Sequence, residues 1–164
     1  MASDSQLRVE SYLSRLRENL QETVLDFWYP RAIDEVHGGF LTSYDADGEF
    51  AGNDRKMIVT QARMVWLSAR LAREGYGDQY REAARQGFEF LTDEMYDEES
   101  GGYYWEVERD GTVTKPNKHM YGQSFVLYAL SEYYQATSDE TARRSATDLF
   151  DVFERHAYDT EHGG

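Results

Sequence analysis

Apolar residues recur at three- and four-residue steps in three stretches of the chain, with charged residues between them. The stretches span residues 13–27, 84–95 and 142–153. Such spacing places the apolar side chains on one face of a helix. We therefore expect three amphipathic helices, whose buried faces carry Leu13, Leu16, Leu20, Val24 and Phe27; Ala84, Gly87, Phe88, Leu91 and Met95; and Ala142, Ala146, Leu149 and Phe153.

Two stretches of a different kind alternate with these three. "MIVTQARMVWLSARLA" (57–72) and "MYGQSFVLYALSEYY" (120–134) are apolar nearly all round. A helix of that kind must be covered on most of its sides. The pattern thus predicts outer and inner helices that alternate along the chain. Pro30 is expected to end the first outer helix, and Pro116 precedes the second inner one.

An Asp-to-Gly-Gly segment follows each outer helix. "DEVHGG" begins at Asp34, "DEESGG" at Asp97 and "DTEHGG" at Asp159, so the copies lie 63 and 62 residues apart. Ser100 takes the position of His37 in the second copy. This replacement argues against a proton-transfer role for His37, and the repeated aspartate and glycines indicate a turn. Asp-Gly pairs within "DADGEF" (45–50) and "RDGTV" (109–113) predict tight hairpins after the first two copies.

The repeated order of outer helix, Gly-Gly loop with a short β-hairpin, and inner helix predicts an all-α fold, an α/α toroid. About five helices are expected, the N-terminal portion of a ring of such units. No Pro- or Ser-rich linker divides the chain, so residues 1–164 are expected to form a single domain. Because the sequence stops after the third Gly-Gly pair, we expect a barrel truncated at its C-terminus that self-associates through exposed apolar surface.

Composition and charge restrict the classes of partner. The formal net charge of −14 argues against nucleic acid and anionic membranes. No apolar run approaches the roughly 20 residues of a membrane-spanning helix, and the N-terminus has no signal-peptide pattern. The absence of cysteine excludes a disulfide scaffold, a thiolate metal site and a cysteine nucleophile. These features fit a cytoplasmic protein.

Four motifs resemble the N-acylglucosamine 2-epimerase superfamily, most closely its cellobiose 2-epimerase branch. They are "FWYPRAIDEVHGGF" (27–40), "QARMVWLSA" (61–69), "GGYYWEV" (101–107) and "KHMYGQSFVLYALSEYYQAT" (118–137). Their order and spacing carry the resemblance, which runs from about residue 10 to the end. It implies an (α/α)6 barrel of six hairpins, of which this chain supplies less than half. The histidine pair that serves the family as acid and base falls beyond Gly164, so no catalytic residue is expected in this chain.

Arg63 and Tyr121 are the leading candidates for sugar binding. Arg63 sits early in an otherwise apolar inner helix, and a buried arginine requires a partner. The resemblance implies that this arginine, in "ARxxW", contacts the substrate; a buried salt bridge is the alternative. Tyr121 opens the next inner helix, where the family's "KHxYxQ" tyrosine lines the pocket. Packing with a satisfied hydroxyl is the alternative for Tyr121.

Gln123 and His119 complete the predicted substrate-binding set. Both lie at the start of the second inner helix, as Gln61 does for the first, and each could bind either a sugar hydroxyl or the loop backbone. Trp66 is expected to pack in the core, and the role of Trp105 stays open. The histidines lack metal-ligand spacing, so no metal is expected, and no nucleotide or NAD motif is present.

The resemblance implies a carbohydrate 2-epimerase, an isomerase that acts on a reducing aldose or disaccharide such as cellobiose. The C2 proton is removed, an enediolate forms, and no cofactor takes part. The 164-residue chain is expected to be inactive by itself. The alternatives are an N-acylglucosamine 2-epimerase, a mannose-type aldose–ketose isomerase, an (α/α)6 glycosidase or lyase, and a non-catalytic sugar-binding half-barrel.

Overall fold

The computed structural model describes residues 4–52 and 55–163 and divides the chain into two compact units, Met1–Ile33 and Asp34–Gly164. Gly164, the last glycine of the third Gly-Gly pair, lies outside the described residues. None of the helices in the described ranges combines the length and the apolar content needed to cross a bilayer. The expectation of a single domain over residues 1–164 stays a prediction.

Residues 4–32 of the first unit form one continuous helical segment with a change of register in its middle. Helix α1 (Asp4–Asn19) runs into a π-helical turn (Leu20–Leu25), which runs into α2 (Asp26–Ala32). The prediction that Pro30 ends this helix is wrong, because Pro30 lies inside α2. A proline clashes with the carbonyl four residues earlier. Here that residue is Asp26, where the ladder shifts register, since the Asp26 N–H bonds to the carbonyl of Gln21.

The apolar face predicted for this first helix is only partly buried. Leu13 and Leu16 are exposed, whereas Leu20, Val24 and Phe27 are half-buried. Leu25 and Tyr29, which the pattern did not single out, are buried. An apolar stripe is buried only where another element packs against it. Leu13 and Leu16 therefore do not belong to a buried helix face among the described residues.

The described residues of the second unit form four helices in two layers. Inner helices α3 (Ile58–Arg73) and α5 (Met120–Thr137) pack side by side, while α4 (Asp78–Glu94) packs on α3 and α6 (Glu140–His156) on α5. The α5 helix begins 62 residues after α3, and α6 begins 62 residues after α4. The alternation of inner and outer helices predicted from the sequence is therefore confirmed.

The loops contribute a small antiparallel sheet in the order β1–β2–β3, built from β1 (Lys56–Met57), β2 (Glu106–Val107) and β3 (Val113–Lys115). Strands β2 and β3 form the hairpin predicted at 109–113, and Tyr44 pairs with Phe50 across the turn predicted at 45–50. Strand β1 pairs with β2 and leads directly into α3, whose first N–H bonds to the carbonyl of Trp105 at 3.0 Å. The sheet therefore fixes where the inner helix α3 begins.

Candidate functional site

The described residues of the three Asp-to-Gly-Gly segments form the same turn. In the first, Oδ1 of Asp34 accepts hydrogen bonds from the backbone N–H groups of Val36 (3.1 Å) and His37 (3.2 Å), and the Asp34 carbonyl accepts from Gly38. The side chains of Asp97 and Asp159 accept the two equivalent backbone bonds in their copies. His37 contributes only its backbone to this turn, and its ring is exposed. The turn predicted from the repeat is confirmed.

The two glycines of the first turn adopt a backbone conformation that other residues rarely adopt. Gly38 and Gly39 have φ of +75° and +65°, the left-handed region that costs an L-residue about 1–2 kcal/mol. A Cβ on Gly39 would also lie 2.8 Å from Oε1 of Gln61 and 2.8 Å from the ring of Phe90. The second glycine therefore allows the turn to approach the start of α3 closely.

Gln61 and Gln123 clamp the two turns onto the inner helices. The Gln61 amide accepts from the N–H of Phe40 and donates to the Phe40 carbonyl, both at 2.8 Å. Gln123 makes the same pair of bonds to Tyr103, at 2.8 and 2.7 Å. Both glutamines are buried. A role of Gln123 as a sugar ligand stays a prediction. It would require the Gln123 amide to break its hydrogen bonds to the Tyr103 backbone.

A buried cluster of charged side chains, which the sequence pattern did not predict, connects the first Asp-to-Gly-Gly turn to the sheet. Lys56 at the start of β1 is 1% exposed, and its Nζ lies 2.9 Å from Oδ2 of Asp34, which is fully buried. Arg109, from the β2–β3 turn, donates to both oxygens of Asp34 at 2.8 and 2.9 Å. Burial opposes ionisation of Asp34, but the hydrogen bonds from Arg109 and Lys56 and the Lys56 charge hold its pKa well below the usual range.

The second copy repeats this contact in a more exposed setting. Lys118 forms an ion pair with Asp97, and the side chains keep 24% and 13% of their exposure. The hydrogen bond from Lys118 lowers the pKa of Asp97. A signal for these pairs was present in the sequence, because each lysine precedes its clamping glutamine by five positions. Spacing alone, however, does not predict that the lysine side chains point towards the aspartates of the turns.

A cleft of about 650 Å³ lies between α3 and α5, and it contains Arg63. Its lining is aromatic and apolar around one cation: Thr60, Arg63, Met64, Trp66, Leu67, Phe125 and Tyr128. The guanidinium of Arg63 lies 5.9 Å from the ring of Phe125. Arg63 is exposed and makes no ion pair or hydrogen bond with the described residues. The alternative of a buried salt bridge is therefore wrong for this structure.

Tyr121 stands next to the same cleft. Its ring packs edge-on against Phe125 at 5.1 Å, and the side chain is 62% exposed. Phe125 thus neighbours both leading candidates, with its ring 5.9 Å from the Arg63 guanidinium and 5.1 Å from the Tyr121 ring. The Arg63 guanidinium and the Tyr121 phenol are both accessible to a ligand near the N-terminus of α5.

His119 lies apart from this pair. It is the residue before α5, where its carbonyl accepts the N–H of Gln123 at 3.1 Å. Its exposed ring packs edge-on against Trp105 at 4.7 Å. The structure therefore brings His119 together with Trp105, not with Arg63, and its role in sugar binding stays a prediction.

Trp66 forms the floor of the cleft by stacking on Tyr128, with ring centroids 5.0 Å apart and planes 14° from parallel. Its indole N–H is buried and has no hydrogen-bond partner among the described residues. A packing role fits this position. Within residues 4–52 and 55–163, no three His, Asp or Glu side chains lie close enough to hold a metal ion.

The likeness to known proteins extends over most of the chain. The sequence profile of the family described as N-acylglucosamine 2-epimerase (GlcNAc 2-epimerase) matches residues 38–164. The chain belongs to this N-acylglucosamine 2-epimerase family. Cellobiose 2-epimerase of Bacteroides fragilis is 31% identical over 144 residues, which are 88% of this chain and 37% of that protein. Human N-acylglucosamine 2-epimerase is 28% identical over 147 residues, 87% of this chain and 34% of that protein.

A solved structure confirms the fold. The structure of cellobiose 2-epimerase from Spirochaeta thermophila matches with a TM-score of 0.91 and 31% identity, covering 99% of this chain and 40% of that one. The α/α toroid predicted from the repeat is therefore correct, and so is the (α/α)6 barrel implied by the resemblance, of which this chain forms part. The chain spans about two-fifths of the length of the family members that it matches.

Proposed function

We propose that this chain supplies one wall of a sugar-binding site that serves C2 epimerisation of a reducing aldose or of a β-1,4-linked disaccharide such as cellobiose. The observation that carries the proposal is Arg63, an arginine without a carboxylate partner among the described residues of a chain whose net charge is −14. An anionic group or an oxygen-rich ligand is the natural partner of such a guanidinium. Membership of the epimerase family supports the sugar as that ligand.

The chemistry explains why a cation is needed. After ring opening, a base removes the proton from C2, and the electrons of the C–H bond form a C1–C2 double bond while negative charge develops on O1. Return of a proton to the opposite face of C2 gives the epimer. No atom is oxidised or reduced overall, so the reaction requires no redox cofactor. The resemblance implies a histidine pair beyond Gly164 as acid and base.

Arg63 is assigned the stabilisation of the negative charge that develops on O1 when the C2 proton is removed. A donor fixed in place before the reaction stabilises an oxyanion without having to reorganise, and loss of one such donor costs roughly 100- to 1,000-fold in rate. Tyr121, which lies next to the cleft that contains Arg63, is assigned a hydrogen bond between its phenol and a sugar hydroxyl. The Phe125 ring lies beside both side chains.

The test is a chimaeric enzyme in which this chain replaces the corresponding region of the Bacteroides fragilis cellobiose 2-epimerase. Cellobiose is added in deuterated water, and NMR follows glucosyl-mannose formation and deuterium incorporation at C2. We expect Arg63→Ala to lower kcat/KM by about 100-fold or more and Tyr121→Phe by a smaller factor. Arg144→Ala serves as control, because Arg144 is exposed on α6.

Three outcomes contradict the proposal. The first is full activity in the Arg63→Ala chimaera, and the second is cleaved rather than epimerised cellobiose. The third is a folded chimaera that exchanges C2 hydrogen in no aldose. The 164-residue chain itself should show no C2 exchange, because the base is assigned elsewhere. Measurable exchange by that chain overturns this part of the assignment.

A further inference from the structure

The indole N–H of Trp66 is the one buried side-chain polar group without a hydrogen-bond partner in the part of the chain that the structure describes. A buried donor that stays unpaired costs free energy, so an exception of this kind requires a physical explanation. Trp66 lines the cleft that contains Arg63. The unpaired donor therefore lies beside the candidate sugar site.

The stack of Trp66 on Tyr128 does not satisfy this donor. The two ring planes are 14° from parallel, and their centroids are 5.0 Å apart. An indole N–H lies in the plane of its own ring, so in a near-parallel stack it does not point at the face of the neighbouring ring. The Tyr128 ring thus covers the indole without offering its N–H an acceptor.

The Tyr128 ring has room to turn away from the indole. Although one face of the ring packs on Trp66, the side chain is 51% exposed and borders the cleft of about 650 Å³. Its hydroxyl has no hydrogen-bond partner among residues 4–52 and 55–163. Exposed side chains change rotamer readily. Tyr128 is therefore a removable cover, whereas Trp66 is half-buried in the wall of the cleft.

Arg63 and Trp66 direct their donors to the same cleft. They lie three positions apart on α3, so their side chains are neighbours on the helix surface. The relation repeats on α5, because Phe125 and Tyr128 occupy the positions 62 residues after Arg63 and Trp66. The Arg63 guanidinium lies 5.9 Å from the Phe125 ring, and Trp66 lies against Tyr128. A ligand bound to the guanidinium is therefore next to the Trp66–Tyr128 pair.

We propose that the Trp66 indole N–H donates a hydrogen bond to an oxygen of the bound sugar, and that the Tyr128 ring turns off the indole to admit it. This inference rests on the proposed function, because it takes the ligand of Arg63 to be a sugar. The exchange is close to balanced, since one aromatic stack is lost while a buried donor gains its acceptor. Tyr128 acts on the affinity for the sugar through Trp66.

The experiment measures sugar affinity in the chimaeric enzyme described above, with the alditol of cellobiose as the probe. This sugar alcohol has no carbonyl at C1 and cannot form an enediolate, so titration calorimetry gives its Kd without turnover. Trp66→Phe keeps an aromatic ring against Tyr128 but removes the N–H, and we expect Kd to rise about tenfold. Trp28→Phe is the matched control, because it removes the indole N–H of a 40% exposed tryptophan on α2, and Kd should not change.

Tyr128→Ala is expected to have the opposite sign. The sugar no longer has to displace the ring, so Kd should fall about threefold. In the double variant Trp66→Phe/Tyr128→Ala this gain should disappear, because the donor that the ring covers is gone. A purely structural role of the two rings predicts weaker binding for both single variants.

Equal Kd values for the parent chimaera and Trp66→Phe overturn the inference. Weaker binding by Tyr128→Ala also overturns it, because the Tyr128 ring would then belong to the binding surface. If urea unfolding shows that Trp66→Phe does not fold, the sign of the Tyr128→Ala effect decides. A parent chimaera that binds the alditol but exchanges no C2 hydrogen in any aldose contradicts the proposed function alone, and one that does not bind the alditol contradicts both.

Discussion

Lys56 Nζ lies 2.9 Å from Asp34 Oδ2, and both side chains are shielded from water. This pair joins the first Gly-Gly turn to the strand that leads into α3. Two charges at such a site stabilise the fold only while both are present, because loss of one leaves the other buried and unpaired. The equivalent pair, Asp97 and Lys118, is more exposed. The buried and the more exposed aspartate–lysine pair can therefore be compared within one protein.

Asp34→Asn should lower the free energy of unfolding by about 3–5 kcal/mol. Asparagine keeps the oxygen that accepts the turn's N–H groups but removes the charge that faces Lys56 and Arg109. Asp97→Asn should cost about 1 kcal/mol or less, because solvent screens that pair. Urea unfolding at pH 7 measures both, and equal costs for the two substitutions would refute the distinction.

The same pair predicts a dependence on pH. Since the pKa of Asp34 is lower in the folded than in the unfolded chain, its contribution is fully present above about pH 4 and decreases as the pH falls further. The difference in melting temperature between the protein and Asp34→Asn should therefore be constant from pH 5 to 7 and shrink below pH 4. A difference that grows on acidification contradicts the lowered pKa.

Gln61→Leu and Gln123→Leu should each destabilise the fold by about 2–4 kcal/mol. Each removes a clamp and leaves one buried N–H and one buried carbonyl without their partner, at about 1–3 kcal/mol per group. Gln79 is exposed on α4, so Gln79→Leu should change stability by no more than about 0.5 kcal/mol. Chemical denaturation measures the three variants. A Gln123→Leu protein as stable as the parent would show that the clamp is dispensable.

Gly39→Ala should cost about 1–3 kcal/mol more than Gly52→Ala. Both glycines have positive φ, +65° and +77°, so the backbone strain is shared. Gly39 faces close neighbours, Gln61 and Phe90, while a Cβ on Gly52 meets none of the described residues within 4 Å. Thermal unfolding of the two variants separates steric contact from backbone strain. Similar losses of stability for the two variants would show that backbone strain from the positive φ accounts for the whole destabilisation.

Arg63→Ala should leave stability within about 0.5 kcal/mol of the parent, because the side chain is exposed and has no ionic partner among the described residues. Arg73→Ala, on the same helix, should cost about 1–2 kcal/mol, since it removes the 2.8 Å contact with the buried Glu132. Urea unfolding compares the two. A large loss for Arg63→Ala would indicate a structural arginine and weaken its assignment to the sugar.

The sequence by itself determined the helices, their alternation and the turns. Periodicity is a local property that every turn of a helix repeats, so "MIVTQARMVWLSARLA" and "MYGQSFVLYALSEYY" predict inner helices without knowledge of their neighbours. The Asp and Gly-Gly residues act on backbone within six positions, and the turn follows from them. Pro30 is the exception, because it lies inside α2 although a proline usually ends a helix.

Only the tertiary structure decided which polar groups meet. Arg109 reaches Asp34 across 75 positions in the chain, and Gln61 reaches Phe40 across 21. Lysine is rarely buried, so no reading of composition places Lys56 inside the protein. Conversely, Arg63 could have been salt-bridged or open, and only the arrangement of α3 beside α5 leaves it open. Contacts of this kind depend on how elements pack in three dimensions, a relationship that local spacing does not encode.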